Sequence, residues 1–267
     1  MTPLVIERRR LLKQFAGGLT GVFVPTLGWT QAASTAPRPF RVVAASDLKF
    51  ALAHIIFQFQ QQTGISVVAT FGSSGNFARQ ISQGLPVDVF MSADEAWVRP
   101  LVDAGLTQGP GAVYARGRLA LLVPANSTLA LDAQLKGVQA QWHQVHKFAI
   151  ANPEHAPYGR AAQQTLQALG LWESVKTKLV LGENIAQATQ FVTTGVAQVG
   201  ITALPLARAP EVAALSRHIA LPAHLHAPLL QRMVLLKEAS PVAAQWMAYL
   251  QSAAAKQVLH SFGFEDP

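Results

Sequence analysis

The feature that most constrains this 267-residue chain is an alternation of short apolar runs with amphipathic segments. Phe40-Arg41-Val42-Val43-Ala44-Ala45 has the composition of a buried strand. Ser46-Asp47 follows, a helix-start signal, and Leu48, Leu52, Ile55, Ile56 and Phe59 then recur at helical spacing until Thr63-Gly64. The pattern repeats with a strand over 65–71, a Gly72-Ser73-Ser74-Gly75 turn, a helix over 76–83, a strand over 88–93 and a helix from Asp94 onward. Such β-α-β-α-β order specifies a parallel sheet with helices on its faces. After Gly117 the rhythm returns, with strands expected at 119–124, 147–151, 178–181, 199–202 and 231–237. Helices are expected at 160–169 and 185–194, and one amphipathic helix over 241–260. With no Gly/Ser-rich linker and no internal repeat, the expected fold class is α/β. Two lobes joined by crossing strands fit it, each a mainly parallel sheet flanked by helices.

The first forty residues follow different rules. Glu7-Arg8-Arg9-Arg10-Leu11-Leu12-Lys13 precedes a mostly apolar stretch from Phe15 to Trp29, and small residues Ala32-Ala33-Ser34-Thr35-Ala36 come next. A basic start, apolar middle and small-residue end make an export signal over 1–33, with cleavage near Ala32 or Ala33. Arg8-Arg9 with Leu11-Leu12-Lys13 resembles a twin-arginine signal, and an ordinary secretory signal is the alternative. No Cys follows the apolar run, and none occurs anywhere in the chain, so lipid attachment there, thiol catalysis and Cys-ligated metals are excluded.

Charge narrows the function classes. Residues 1–36 hold four of the 21 basic and one of the 14 acidic residues, so the remainder carries a net charge of +4. That mild charge contains no basic cluster, which argues against nucleic acid as a partner. No other apolar run approaches the roughly 18 residues that a membrane span requires, so no membrane insertion is expected after signal cleavage.

Several expected strand-to-helix junctions share a chemistry. Ser46-Asp47, Ser73-Ser74-Gly75, Ala93-Asp94, Tyr158-Gly159 and Asn184-Ile185 each lie where a strand ends and a helix begins. In parallel α/β sheets these junctions line the carboxyl edge, where ligands bind. A helix N-terminus presents unpaired N–H groups and a partial positive charge, so two such edges facing each other could surround a small oxyanion. Each junction taken alone is more simply a helix cap. It is their repetition in both halves that points to a site.

A family resemblance rests on longer runs. They are Ala44-Ala45-Ser46, Phe71-Gly72-Ser73-Ser74-Gly75 with Ala78-Arg79-Gln80-Ile81, and Gly84-x-Pro86-x-Asp88-Val89-Phe90-Met91-Ser92-Ala93-Asp94. To these add Asn152-Pro153-Glu154-His155-Ala156-Pro157, Leu169-Gly170-Leu171-Trp172 and Leu179-Val180-Leu181-Gly182-Glu183-Asn184. Over about residues 40–265 the chain resembles the periplasmic molybdate-binding proteins. The resemblance implies a two-lobed type II periplasmic binding protein, with 38–118 plus 222–267 as one lobe, 119–221 as the other and the ligand cleft between them. It implies capture of molybdate or tungstate in the periplasm and delivery to an ABC transporter permease by a monomeric carrier, with no cofactor, no protein-ligated metal and no catalysis.

The family's oxyanion ligands fall on Ser46, Ser74, Ala93, Tyr158, Ile185 and Ala203. Many members have Tyr at the position of Ala203 and Ala at that of Tyr158. Tyr158 is therefore expected to replace the missing phenol from another direction. Asp47 also departs from the family's apolar residue or Asn. It is expected either to cap the following helix or to face a ligand that is not a simple dianion, so it joins the candidate ligand-binding residues. The departures at Asp47 and Ala203 leave another small anion or an organic ligand as the alternative within binding proteins. A secreted enzyme reusing the cleft is the alternative in another class. Against an enzyme, Ser73-Ser74 lacks the spacing of a nucleophile elbow. His143 with His146 on one side of a helix, and His224 with His226 on one strand face, are the only metal-like His pairs, and neither has carboxylates at ligand spacing.

Overall fold

A computed structural model describes residues 39–267. The export-signal residues 1–33, the twin-arginine pattern, the cleavage site and the first residue of the expected lobe beginning at 38 lie outside the described residues.

Ten strands form two five-stranded sheets. The first contains β1 (Phe40–Ala45), β2 (Val67–Gly72), β3 (Val89–Ser92), β4 (Ala112–Gly117) and β10 (Leu229–Leu235), in the order β2-β1-β3-β10-β4. The second contains β5 (Leu119–Pro124), β6 (Phe148–Ala151), β7 (Leu179–Gly182), β8 (Val199–Ala203) and β9 (Ser216–Ala220), in the order β7-β6-β8-β5-β9. In each sheet three strands run parallel, while the two at the far side pair antiparallel. The sheets are thus mixed, less parallel than strand–helix alternation alone suggested. The chain crosses between them twice, through Arg118 between β4 and β5 and through the segment 221–228 between β9 and β10.

The helices are α1 (Lys49–Thr63), α2 (Ser74–Ser82), α3 (Arg99–Asp103), α4 (Lys136–Ala140), α5 (Pro157–Ala168), α6 (Trp172–Lys176), α7 (Ile185–Thr193), α8 (Leu204–Arg208), α9 (Pro210–Ala213), α10 (Val242–Leu250) and α11 (Ala253–Phe262). The α1 helix buries Leu52, Ile55 and Phe59 against the first sheet. It stops at Gly64, whose left-handed φ of 70° lets its N–H close on the Gln60 carbonyl. Phe59 and Phe40 both pack edge-on against the buried Trp246 of α10.

Several expected elements are shifted. α5 begins at Pro157 rather than Arg160, because proline suits the first helical position, where its missing N–H has no partner to lose. No helix starts at Asp94. Its carboxylate accepts the Trp97 N–H at 3.3 Å, closing a turn, and the helix waits until Arg99. The single helix expected over 241–260 is two, because Ser252 takes an extended backbone and its hydroxyl caps α11 by accepting the Ala255 N–H. Strands β4 and β9 were not expected. One carries Arg116 and Gly117 and the other Arg217 and His218, which interrupt the apolar pattern. His143 lies in a 3-10 turn over 142–144 and His224 in one over 223–225, so neither pair has the shared helix or strand face expected of it. Among the described residues no helix is long and apolar enough to cross a membrane.

Candidate functional site

The carboxyl ends of six parallel strands point at one another. β1 runs into Ser46-Asp47, β2 into Ser73-Ser74 at the start of α2, and β3 into Ala93. From the other sheet, β6 leads through 152–156 to Tyr158 in the first turn of α5, β7 to Ile185 at the start of α7, and β8 to Ala203. Between these ends lies a cavity of about 10 Å³. Ser46, Asp47, Ser74, Ala93, Tyr158 and Ile185 all line it, together with Ala45, Gly72, Ser73, Ala156 and Pro157. Ala203, buried beside β5, is not part of the lining.

The wall is built of neutral donors. Ser74 Oγ accepts the Ala93 N–H at 3.0 Å, tying the end of β2 to the end of β3. Ser46 Oγ donates to Asn184 Oδ1 at 3.0 Å and accepts the Ala186 N–H at 3.1 Å, tying the first sheet to the N-terminus of α7. Asn184 is the cap of that helix, accepting the Gln187 N–H as well. The first N–H groups of α2, α5 and α7 have no partner within their own helices, which gives this wall a positive potential without a cation. No Lys, Arg or His lines the cavity.

A second set of bonds fastens the two edges. The Ser73 hydroxyl donates to the His155 carbonyl at 2.6 Å and lies 2.9 Å from His155 Nδ1, and the Gly75 N–H donates to the same carbonyl at 2.9 Å. A Cβ on Gly75 would stand 2.7 Å from that carbonyl oxygen and 2.7 Å from the Trp97 ring, so only glycine lets α2 approach this closely. Asn76 reaches Glu183, and Arg160 pairs with Asp94 at 3.3 Å. Ala45 and Ala93 share a packed apolar cluster with Tyr158 and Ile185.

Asp47 is the one carboxylate in the wall. It is 1% exposed and caps no helix, contrary to the capping expectation. The carboxylate instead turns to the buried Gln231 of β10, whose Nε2 donates to its Oδ2. Gln231 Nε2 also donates to the Tyr158 hydroxyl at 3.2 Å, and Gln231 Oε1 accepts the Tyr114 hydroxyl at 2.7 Å. Burial raises the Asp47 pKa to about 6, with Gln231, Tyr158 and nearby backbone N–H groups pulling it partly back. Burial, then the charge of Asp47, pushes both phenols well above their ordinary value, so they stay protonated. The Tyr158 hydroxyl thus accepts from Gln231 and lies beside Asp47.

Gln231 and Tyr114 escaped the sequence reading. The signal for Gln231 is a polar side chain inside the apolar run Leu229-Leu230-Gln231-Arg232-Met233-Val234, at a position that proves fully buried. Tyr114 has no such signal, because its strand was itself unread.

Residues 40–265 match the family model of bacterial extracellular solute-binding proteins. The chain belongs to this family. Among its relatives, the molybdate-binding protein ModA of Azotobacter vinelandii is 34% identical over 84% of this chain and 88% of its own length. The molybdate-binding protein ModA of Rhodobacter capsulatus is 35% identical over 77% of this chain and 80% of its own. The solved structure of the Azotobacter vinelandii periplasmic molybdate-binding protein superposes with a TM-score of 0.79 at 31% identity, covering 85% of this chain and 99% of that one. The paired sheets and the helices flanking them are thus the two-lobed architecture of a family of solute-binding proteins.

Proposed function

We propose that this protein is the substrate-binding component of an ABC transporter, capturing molybdate, and tungstate with it, in the periplasm and passing it to the permease. The observation that carries this reading is the convergence of Ser46, Ser74, Ala93, Tyr158 and Ile185 on one cation-free cavity from the facing edges of both sheets. Hydroxyl and backbone N–H donors at helix N-termini suit a tetrahedral oxyanion, because charge-assisted hydrogen bonds are strong where solvent is excluded. Lobe 38–118 plus 222–267 and lobe 119–221 would close on the anion about Arg118 and the 221–228 segment, and the ligand selects the closed form because it contacts both lobes. The protein makes and breaks no bond, and it acts as a monomer delivered by a cleaved N-terminal signal.

Selectivity comes from cavity size and donor placement. The test is calorimetric titration with molybdate, tungstate, sulfate and phosphate. Tight binding of the first two, with sulfate and phosphate much weaker, is expected. Failure of both molybdate and tungstate to bind contradicts the reading.

A further inference from the structure

We propose that the anion is bound together with one proton, shared between an anion oxygen and the free oxygen of Asp47. This deepens the oxyanion-carrier reading above and rests on it.

The geometry leaves Asp47 one oxygen for the ligand. Gln231 cannot turn away, because its Oε1 is held by the Tyr114 hydroxyl, so its Nε2 must face Asp47 and Tyr158. That accounts for Oδ2. The Tyr158 hydroxyl and the Asp47 and Leu48 N–H groups also approach the carboxylate, but no hydrogen bond closes on Oδ1, although the residue is buried in the wall of the same cavity as Ser46 and Ser74. A buried polar atom of this kind ordinarily has a partner.

Charge decides what that partner must be. An ionised Asp47 beside a dianion would be repelled, and no cation in the wall offsets the repulsion. One proton between the two oxygens converts the repulsion into a charge-assisted hydrogen bond. The proton comes from solvent and no covalent bond to the anion forms. Which oxygen carries it is immaterial to the balance, since either way the complex holds one proton more than ionised Asp47 and the free dianion.

The surroundings favour this proton on Asp47 and on no other group. Gln231 faces it from β10, Tyr114 from β4 and Tyr158 from α5, and Ser46, Ser73 and Ser74 are neutral hydroxyls. Both phenols stay protonated through the neutral range, and His155 is turned to Ser73 outside the cavity lining. Burial already brings Asp47 to about 6, so taking up a proton near neutrality is easy.

The experiment is calorimetry with sodium molybdate from about pH 5.5 to 8.5, in pairs of buffers differing in ionisation enthalpy. Above about pH 6 the affinity should fall about tenfold per pH unit, with close to one proton taken up per anion. Asp47→Asn should flatten the pH profile and abolish the proton uptake. Binding by the wild-type protein without pH slope or proton uptake overturns the inference alone, as does an Asn variant that keeps the slope. Absence of molybdate binding at pH 5.5 by folded protein overturns the carrier reading, and this inference with it.

Discussion

The Ser46 hydroxyl donates to Asn184 Oδ1 at 3.0 Å, joining the end of β1 in one sheet to the cap of α7 in the other. One small side chain thus stands where the edges of the two sheets meet and on the wall of the cavity. Ser46→Ala removes a donor to the bound anion, and a hydrogen bond to a charged group contributes about 1.5–3 kcal/mol. Molybdate affinity should fall by at least one to two orders of magnitude in calorimetry, and the unliganded protein should melt at a lower temperature, because Asn184 and the Ala186 N–H lose their partner.

Gly75 tests closure without touching the wall chemistry. Its N–H meets the His155 carbonyl, and an added Cβ would press on that oxygen. Gly75 follows β2 of the first sheet and His155 follows β6 of the second, so Gly75→Ala penalises their approach more than either sheet alone. Overpacking typically costs about 1–3 kcal/mol. The expected outcome is molybdate binding weakened about fivefold to a hundredfold, and a small-angle scattering profile that compacts less when the anion is added.

Asp47 makes the unliganded protein less stable as pH rises. Its folded-state pKa of about 6 lies above the value of 3.8 expected for an ordinary Asp. Between these values the folded state binds more protons than the unfolded one, so stability is lost as pH climbs through the window. The penalty is complete above about 6 and absent below about 4, and amounts to at most about 3 kcal/mol. Asp47→Asn should therefore raise the melting temperature at pH 7.5 and leave it nearly unchanged at pH 4. An equal gain at both values would contradict this origin.

Gln231 is the hub of the buried polar network, bonded to Asp47, Tyr158 and Tyr114. Gln231→Leu keeps much of the volume and strands those groups. Each buried polar group left without a partner costs about 1–3 kcal/mol. The variant should lose at least that much in denaturant unfolding, and more at pH 8 than at pH 5, because the ionised Asp47 loses its donor.

How legible these features were depends on the local pattern. Phe40–Ala45 and Leu119–Pro124 are uninterrupted apolar runs, and both strands lie where expected. The Ser46, Ser74, Tyr158 and Ile185 positions were readable because each follows a strand and opens a helix or turn, a local signal. Asp47 is open in sequence to two readings, a helix cap or a group facing the ligand, because its neighbours allow a cap. Its actual partner, Gln231, is 184 residues away, and no local pattern reports a contact across that separation. The same holds for β10, which begins two residues before its expected start and supplies both the antiparallel half of the first sheet and the group that orients Asp47.

The most direct test is a crystal structure of the protein with molybdate, located by the anomalous signal of molybdenum. The expected result is a single peak between the two sheet edges, its oxygens within hydrogen-bond distance of Ser46 Oγ, Ser74 Oγ and the Ala93 N–H, with one oxygen facing Asp47 Oδ1. A peak elsewhere on the molecule, or none at saturating molybdate, would contradict the account.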